Sequence, residues 1–230
     1  MTSSLHNRFS IVSLFIIATA STSFAEDASV DQLIKKLPPP ERVAQSAIAI
    51  DPALRDPLAK QIVDSAKAMN FGTAYALSQK LASRYPKSAA AHCLQGSFAL
   101  MMHKFKEAAA AYHRALVYQP NFAVAYLGLG ASELAQNNFS AAMSDYRQVT
   151  RLAPKSEIGY VALSVCDEKM GRRSESLNYA RQATTVAPSS ALAWYQLSRE
   201  ENLSGNKSAA QKDLARANDL RRRTSKTTKR

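Results

Sequence analysis

Five prolines share one register: Pro52, Pro86, Pro120, Pro154 and Pro188, each 34 residues from the next. Several close a helical-looking run, as in "ALVYQP", "VTRLAP" and "ATTVAP". Proline inside a helix removes a backbone donor and clashes with the turn before it, so each marks a stop. Stops at a constant interval mean that one structural unit is built repeatedly, and such self-similarity is the signature of a stacked array.

With the proline as position 32, the units run 55–88, 89–122, 123–156, 157–190 and 191–224. "ERVAQSAIAIDP", from residue 41, reads as the second helix of an incomplete repeat before them. Only 7 glycines and long alanine runs argue for helix over sheet. Two helical stretches per unit flank a turn near position 15, which holds Met69, His103, Asn137, Gly171 and Gly205. Glycine and asparagine tolerate the left-handed conformation that closes a helix, and histidine does so more readily than most residues. Small residues recur at position 8 (Gly96, Gly130, Ser164, Ser198) and position 20 (Ala74, Ala108, Ala142, Ser176, Ala210). Large ones recur at position 4 (Tyr126, Tyr160, Trp194), position 7 (Leu129, Leu163, Leu197) and position 24 (Tyr112, Tyr146). Small facing large at fixed offsets is how antiparallel helices interdigitate.

"AYLGLGASELAQNNFSAAMSDYRQVTRLAP" and "AWYQLS" carry an aromatic, a Leu-Gly or Leu-Ser pair, a paired Ala and aromatic, then Pro. This resembles the tetratricopeptide repeat, over roughly residues 41–220. The resemblance implies an all-α, right-handed α-solenoid of about five helix–turn–helix repeats preceded by a half repeat. It further implies that first-helix positions 2, 5, 9 and 12, with position 6 contributing, line a concave groove. Those positions give Leu94, Ser97, Leu100, Val124, Leu127, Ala131, Leu134, Ile158, Val161, Val165, Leu192, Tyr195 and Arg199. The groove would be mostly apolar, with Leu127 and Val161 at its centre and clear of the helix packing. The implied partner is a protein or peptide. The Lys/Asn set by which some family members clamp a C-terminal carboxylate is absent, since Cys93 and Ser97 stand at positions 5 and 9.

The N-terminus reads differently. Arg8, the apolar run Phe9–Ala20, and the small residues Ser23 and Ala25 predict a secretory signal (1–25) cleaved after Ala25. Residues 26–40, ending in Pro38–Pro40, read as a leader and stiff hinge. An exported chain, periplasmic or secreted, follows, with no span in the mature part.

Chemistry finds little footing. The chain has no HExxH, CxxC or phosphate-cradling glycine loop, so no catalytic residue, metal or cofactor is predicted and the chain reads as a non-enzyme. His92 sits at packing position 4 and reads as core. Cys93 and Cys166 lie two repeats apart, too far to bridge within one chain. Cys93 reads as a small buried hydrophobe, or as a groove thiol open to modification. Glu133, Asp167 and Glu201 stack at position 11, either as a ladder for a basic ligand or as partners of basic residues such as Arg147, Arg173, Arg181 and Lys207.

The chain carries a net charge of +12, and its tail, 221–230, concentrates six cations: Arg221, Arg222, Arg223, Lys226, Lys229 and Arg230. Blocks of like charge tend toward disorder. The alternative reading of the protein uses this tail to dock on anionic lipid or polysaccharide of the envelope, with the repeats as a spacer. Nucleic acid is not an expected partner, because no aromatic is interleaved with the charges.

Overall fold

The fold is seen in a computed structural model that describes residues 51–227, with side chains through Arg223. The predicted signal, the leader and hinge, most of the half repeat, Lys229 and Arg230 lie outside the described residues.

Ten consecutive α-helices follow a short 3-10 turn (Pro52–Arg55): α1 (Pro57–Lys67), α2 (Phe71–Arg84), α3 (Ala89–Met101), α4 (Phe105–Tyr118), α5 (Ala123–Ala135), α6 (Phe139–Leu152), α7 (Glu157–Lys169), α8 (Arg173–Val186), α9 (Ala191–Leu203) and α10 (Lys207–Thr227). No strand occurs among the described residues. The architecture is an all-α solenoid of five helix pairs, and the helix pairs fall in the 34-residue frame. From α3 through α9, first helices have 13 residues and second helices 14.

The punctuation has a local cause in each turn. All five position-15 residues adopt positive φ: Met69 at 57°, His103 at 56°, Asn137 at 63°, Gly171 at 74° and Gly205 at 85°. The position-16 amide then reaches back to the position-11 carbonyl, as in Lys104 to Ala99 at 2.9 Å and Asn206 to Glu201 at 2.8 Å. This is the backbone closure that satisfies the orphan carbonyls of a helix end. At the other end of each pair, the residue before the proline is forced out of the helical region. Tyr85, Gln119 and Ala187 accordingly have ψ between 69° and 84°. Ser88, Ser156 and Ser190 then cap the next first helix through their hydroxyls. Phe122 stands at the same point in its repeat and is buried instead.

The described chain divides into two compact units, one ending at Asn138 and the other beginning at Phe139. In the first, α1 through α5 pack each on the next, and α3 also meets α5. In the second, α6 through α10 do the same, and α7 meets α9. Ile62, Leu81, Phe98 and Tyr112 are fully enclosed in the first, Tyr146 and Leu163 in the second. Each such side chain contributes roughly 1.5–3 kcal/mol by leaving water. The expected small-to-large contacts are present. A Cβ on Gly96 would stand 3.0 Å from the Tyr112 ring. Positions 8 and 20 touch directly, with the Ser164 and Ser176 hydroxyls 3.1 Å apart and Ser198 Oγ donating to the Ala210 carbonyl at 2.6 Å.

Candidate partner-binding face

The predicted groove residues lie on the first helices, but few are open. In the first unit Leu94, Ser97 and Val124 are half-buried, whereas Leu100, Leu127, Ala131 and Leu134 are enclosed. In the second Ile158, Tyr195 and Arg199 are half-buried, whereas Val161, Val165 and Leu192 are enclosed. Leu127 is 2% exposed and Val161 is 1% exposed. The expectation that these two stand clear of the packing is therefore corrected. α3 and α4 pack against α5, and α6, α8 and α9 pack against α7, which covers these two side chains. Longer side chains, Tyr195 and Arg199, reach past that packing.

In the second unit, α7, α8 and α9 enclose a polar cluster. Ser176 Oγ donates to the Ser164 carbonyl at 2.8 Å. Gln196 Nε2 donates to Ser164 Oγ at 3.1 Å and to Glu200 Oε1 at 2.7 Å. Glu200 is 1% exposed. Burial pushes its carboxyl up to about 7, the Ser176 hydroxyl opposes the shift, and the carboxyl of Glu168 beside it adds to it. Glu168 in turn holds the Arg199 guanidinium. Two polar atoms of this cluster, Glu168 Oε2 and Arg199 Nη1, are buried without a hydrogen-bond partner.

With this geometry in view, solved structures can be compared. MamA from Desulfovibrio magneticus RS-1 matches with a TM-score of 0.62 at 14% identity, covering 72% of this chain and 93% of that one. PilF of Pseudomonas aeruginosa matches at 0.63 and 15%, covering 72% of this chain and 76% of that one. The APC/C hetero-tetramer Cut9–Hcn1 matches at 0.63 and 17%, over 95% of this chain and 38% of that one. All three are tetratricopeptide-repeat proteins. The chain has the tetratricopeptide-repeat fold. At these identities the likeness is one of fold. No family model and no curated protein matches the sequence.

Within the tetratricopeptide array, the position-11 acids act locally. Glu133 accepts from Asn138 Nδ2 at 2.6 Å, across the turn that follows it. Asp167 is 1% exposed and accepts from Arg172 Nε at 2.8 Å. Burial raises the Asp167 carboxyl, and the Arg172 guanidinium opposes that shift. Glu201 faces Arg181 at 3.7 Å. Glu133 and Asp167 thus clamp helix ends, and Glu201 links α9 to α8. Of the four basic partners expected, Arg181 faces Glu201 and the charge of Arg147 acts on Asp167, while Arg172 takes the bonding place next to Asp167.

Cys93 and Cys166 are free thiols, both buried, and burial pushes each up to about 12. His92 is 4% exposed, as expected of core. At the junction of the first two repeats a cleft of about 630 Å3 is lined by Asp51, Arg84, Lys87, Ser88 and Tyr118 among others. Two of its charged residues are already engaged: Asp51 Oδ2 accepts from Ser88 Oγ at 2.7 Å, and Arg84 holds Asp56 at 2.7 Å.

The basic tail begins inside a helix. α10 runs to Thr227, so Arg221, Arg222 and Arg223 are helical and exposed. Arginine is a good helix former, cations suit a helix C-terminus, and Arg223 pairs with Asp219 one turn back at 2.7 Å. The side chain of Lys226 is outside the described set. No helix among the described residues is long and apolar enough to cross a membrane. Nor is any group of three or more His, Cys, Asp or Glu placed to hold a metal among those residues.

Sequence reasoning missed Glu168, Gln196 and Glu200. They stand at positions 12, 6 and 10. Positions 6 and 10 repeat no residue type, and at position 12 Glu168 departs from the Leu of the two repeats before it, so periodicity carries no signal for them.

Proposed function

We propose that this chain is an exported, non-catalytic scaffold that binds a protein or peptide partner along its first helices. The observation that carries the reading is the fold itself: a regular tetratricopeptide array, a fold shared with the solved Cut9–Hcn1 hetero-tetramer, and stacked repeats of this kind use the surface they line up for binding. The half-buried members, Leu94, Ser97 and Val124 in one unit and Ile158, Tyr195 and Arg199 in the other, are the contact set. The mix of aliphatic, aromatic and Arg side chains suits an amphipathic helix or an extended segment.

Photo-crosslinking side chains placed at Leu94 and Tyr195 test this against one at Val117, which is 73% exposed on a second helix. The partner should crosslink from the first two sites and not from the third, and Tyr195→Asp should abolish its capture while the chain stays helical. Crosslinking from Val117 alone, or retention that depends only on 221–230 and disappears with salt, overturns the reading in favour of the second helices or of an anionic surface. Export is checked separately: the mature N-terminus from the native host should be Glu26.

A further inference from the structure

We propose that a proton held on Glu200 toward the Glu168 carboxylate forms a pH-sensitive latch that holds α7 against α9. The geometry carries this. Glu200 is enclosed, and its Oε1 accepts from Gln196, a neutral donor. Beside it stands the Glu168 carboxyl, whose Oε2 is buried and lacks any donor. Its partner Arg199 serves it from one side only. A proton on Glu200 supplies that missing donor, as an O–H pointing at a carboxylate. Without it, two carboxylates confront each other out of water with one guanidinium between them, an arrangement that low polarity makes unfavourable.

The groups acting on Glu200 come from each neighbour. Glu168 faces it from α7 and Arg199 from α9 itself, while α8 contributes the Ser176 hydroxyl. α10 meets α9 through Ala210 and Ser198, and the charged residues of its first two turns are Lys207, Lys212 and Asp213. The raised carboxyl of Glu200 agrees with this arrangement. A carboxyl whose folded affinity for protons exceeds its unfolded one stabilises the fold at acid pH, and that contribution is lost as pH rises from the ordinary carboxylate range through the folded value, about 7. The latch is thus closed on the acid side and strained on the alkaline side.

Hydrogen exchange of the full chain tests it, with rates corrected for intrinsic pH dependence and α3–α4 as the internal reference. Between about pH 5 and about pH 8, protection of α7 and α9 should fall about tenfold or more relative to that reference, because a carboxyl that holds its proton about ten times more tightly when enclosed changes the opening equilibrium by the same factor. Glu200→Gln keeps a permanent donor toward Glu168 and should remove the pH dependence. Should that variant fail to fold, Glu168→Gln removes the facing charge and should reduce the pH dependence without abolishing it, because Glu200 stays enclosed. Carboxyl-carbon NMR of the unmodified chain provides an independent reading, with one Glu resonance titrating near neutrality and shifting in either variant. A flat profile in the unmodified chain, an unchanged profile in the variants, or ordinary titration of every Glu overturns the latch.

Discussion

His92 and Trp194 stand at the same position three repeats apart, and each donates a ring N–H to the carbonyl of the repeat-closing proline before it. His92 Nε2 reaches the Pro86 carbonyl at 2.9 Å, and Trp194 Nε1 reaches that of Pro188 at 2.8 Å. A proline ends each second helix, and the ring ties that end to the next first helix. His92 also stacks on Tyr118 at 6.0 Å, and Arg216 lies 3.9 Å from the centre of the Trp194 ring. His92→Phe and Trp194→Phe should each cost about 1 kcal/mol, the worth of one hydrogen bond, in urea unfolding. His92→Trp should restore the loss, because Trp keeps the donor.

The turns contain uneven strain. Met69 and His103 hold φ values of 57° and 56°, where a β-carbon is crowded, while Gly171 and Gly205 sit in the same region without one. Met69→Gly and His103→Gly should therefore stabilise the chain by roughly 0.5–1 kcal/mol, and Gly171→Ala should cost a comparable amount. Midpoints of thermal or urea unfolding check the signs.

Two helical glycines should respond oppositely to one methyl group. A Cβ on Gly128 would run into the ring of Tyr112, which is 0% exposed and cannot yield. Gly128→Ala should cost about 1–3 kcal/mol by overpacking, and Tyr112→Leu should relieve part of that cost in the double variant. Gly72 has nothing within 4 Å, so Gly72→Ala should stabilise by roughly 0.5–1 kcal/mol.

Acid should loosen the first repeat. Asp56 caps α1 by accepting from the Leu58 amide at 2.8 Å, and it receives the Arg84 guanidinium at 2.7 Å and the Tyr85 hydroxyl at 3.0 Å. The amide first, then Arg84, hold its carboxyl below the usual range. A depressed carboxyl contributes stability above its unfolded value and loses it as pH falls through the folded one. Protection of α1 amides should therefore drop below about pH 4, and Asp56→Asn should blunt that drop.

The thiols should report opening of the fold. Burial pushes Cys93 and Cys166 up to about 12, so little reactive thiolate exists near neutral pH. Maleimide labelling of the native chain should be slow and accelerate with denaturant. Peptide mapping without reductant should find no Cys93–Cys166 crosslink in the monomer.

The repeat frame was legible because spacing alone carries it. Position 15 had to close a helix, and all five of its residues do so with positive φ, even where the residue is Met or His. Position 20 had to be small, as did position 8 from the second repeat onward, and Ser164 with Ser176 shows the contact. The exposure of Leu127 and Val161 was not legible, because it depends on how closely neighbouring helices approach. Gly128 stands at position 6, where Leu94 and Gln196 stand in other repeats, so nothing repeats there to mark its contact with Tyr112. The Glu168–Glu200 pair also escapes: its partners come from different repeats, the position of Glu200 has no recurring residue type, and Glu168 stands where two earlier repeats have Leu.

The constancy of the turns makes the array intolerant of small changes in length. One residue added to a 14-residue second helix such as α8 would rotate everything after it by about 100° about the helix axis. The position-15 closure, the position-8 contact and the ring over the proline would then all face the wrong neighbour. Loss or gain of a whole 34-residue cassette leaves each of those relationships intact. Natural length variation in such a chain should therefore come in complete repeats, and a library of single-residue insertions should survive only outside the helix pairs.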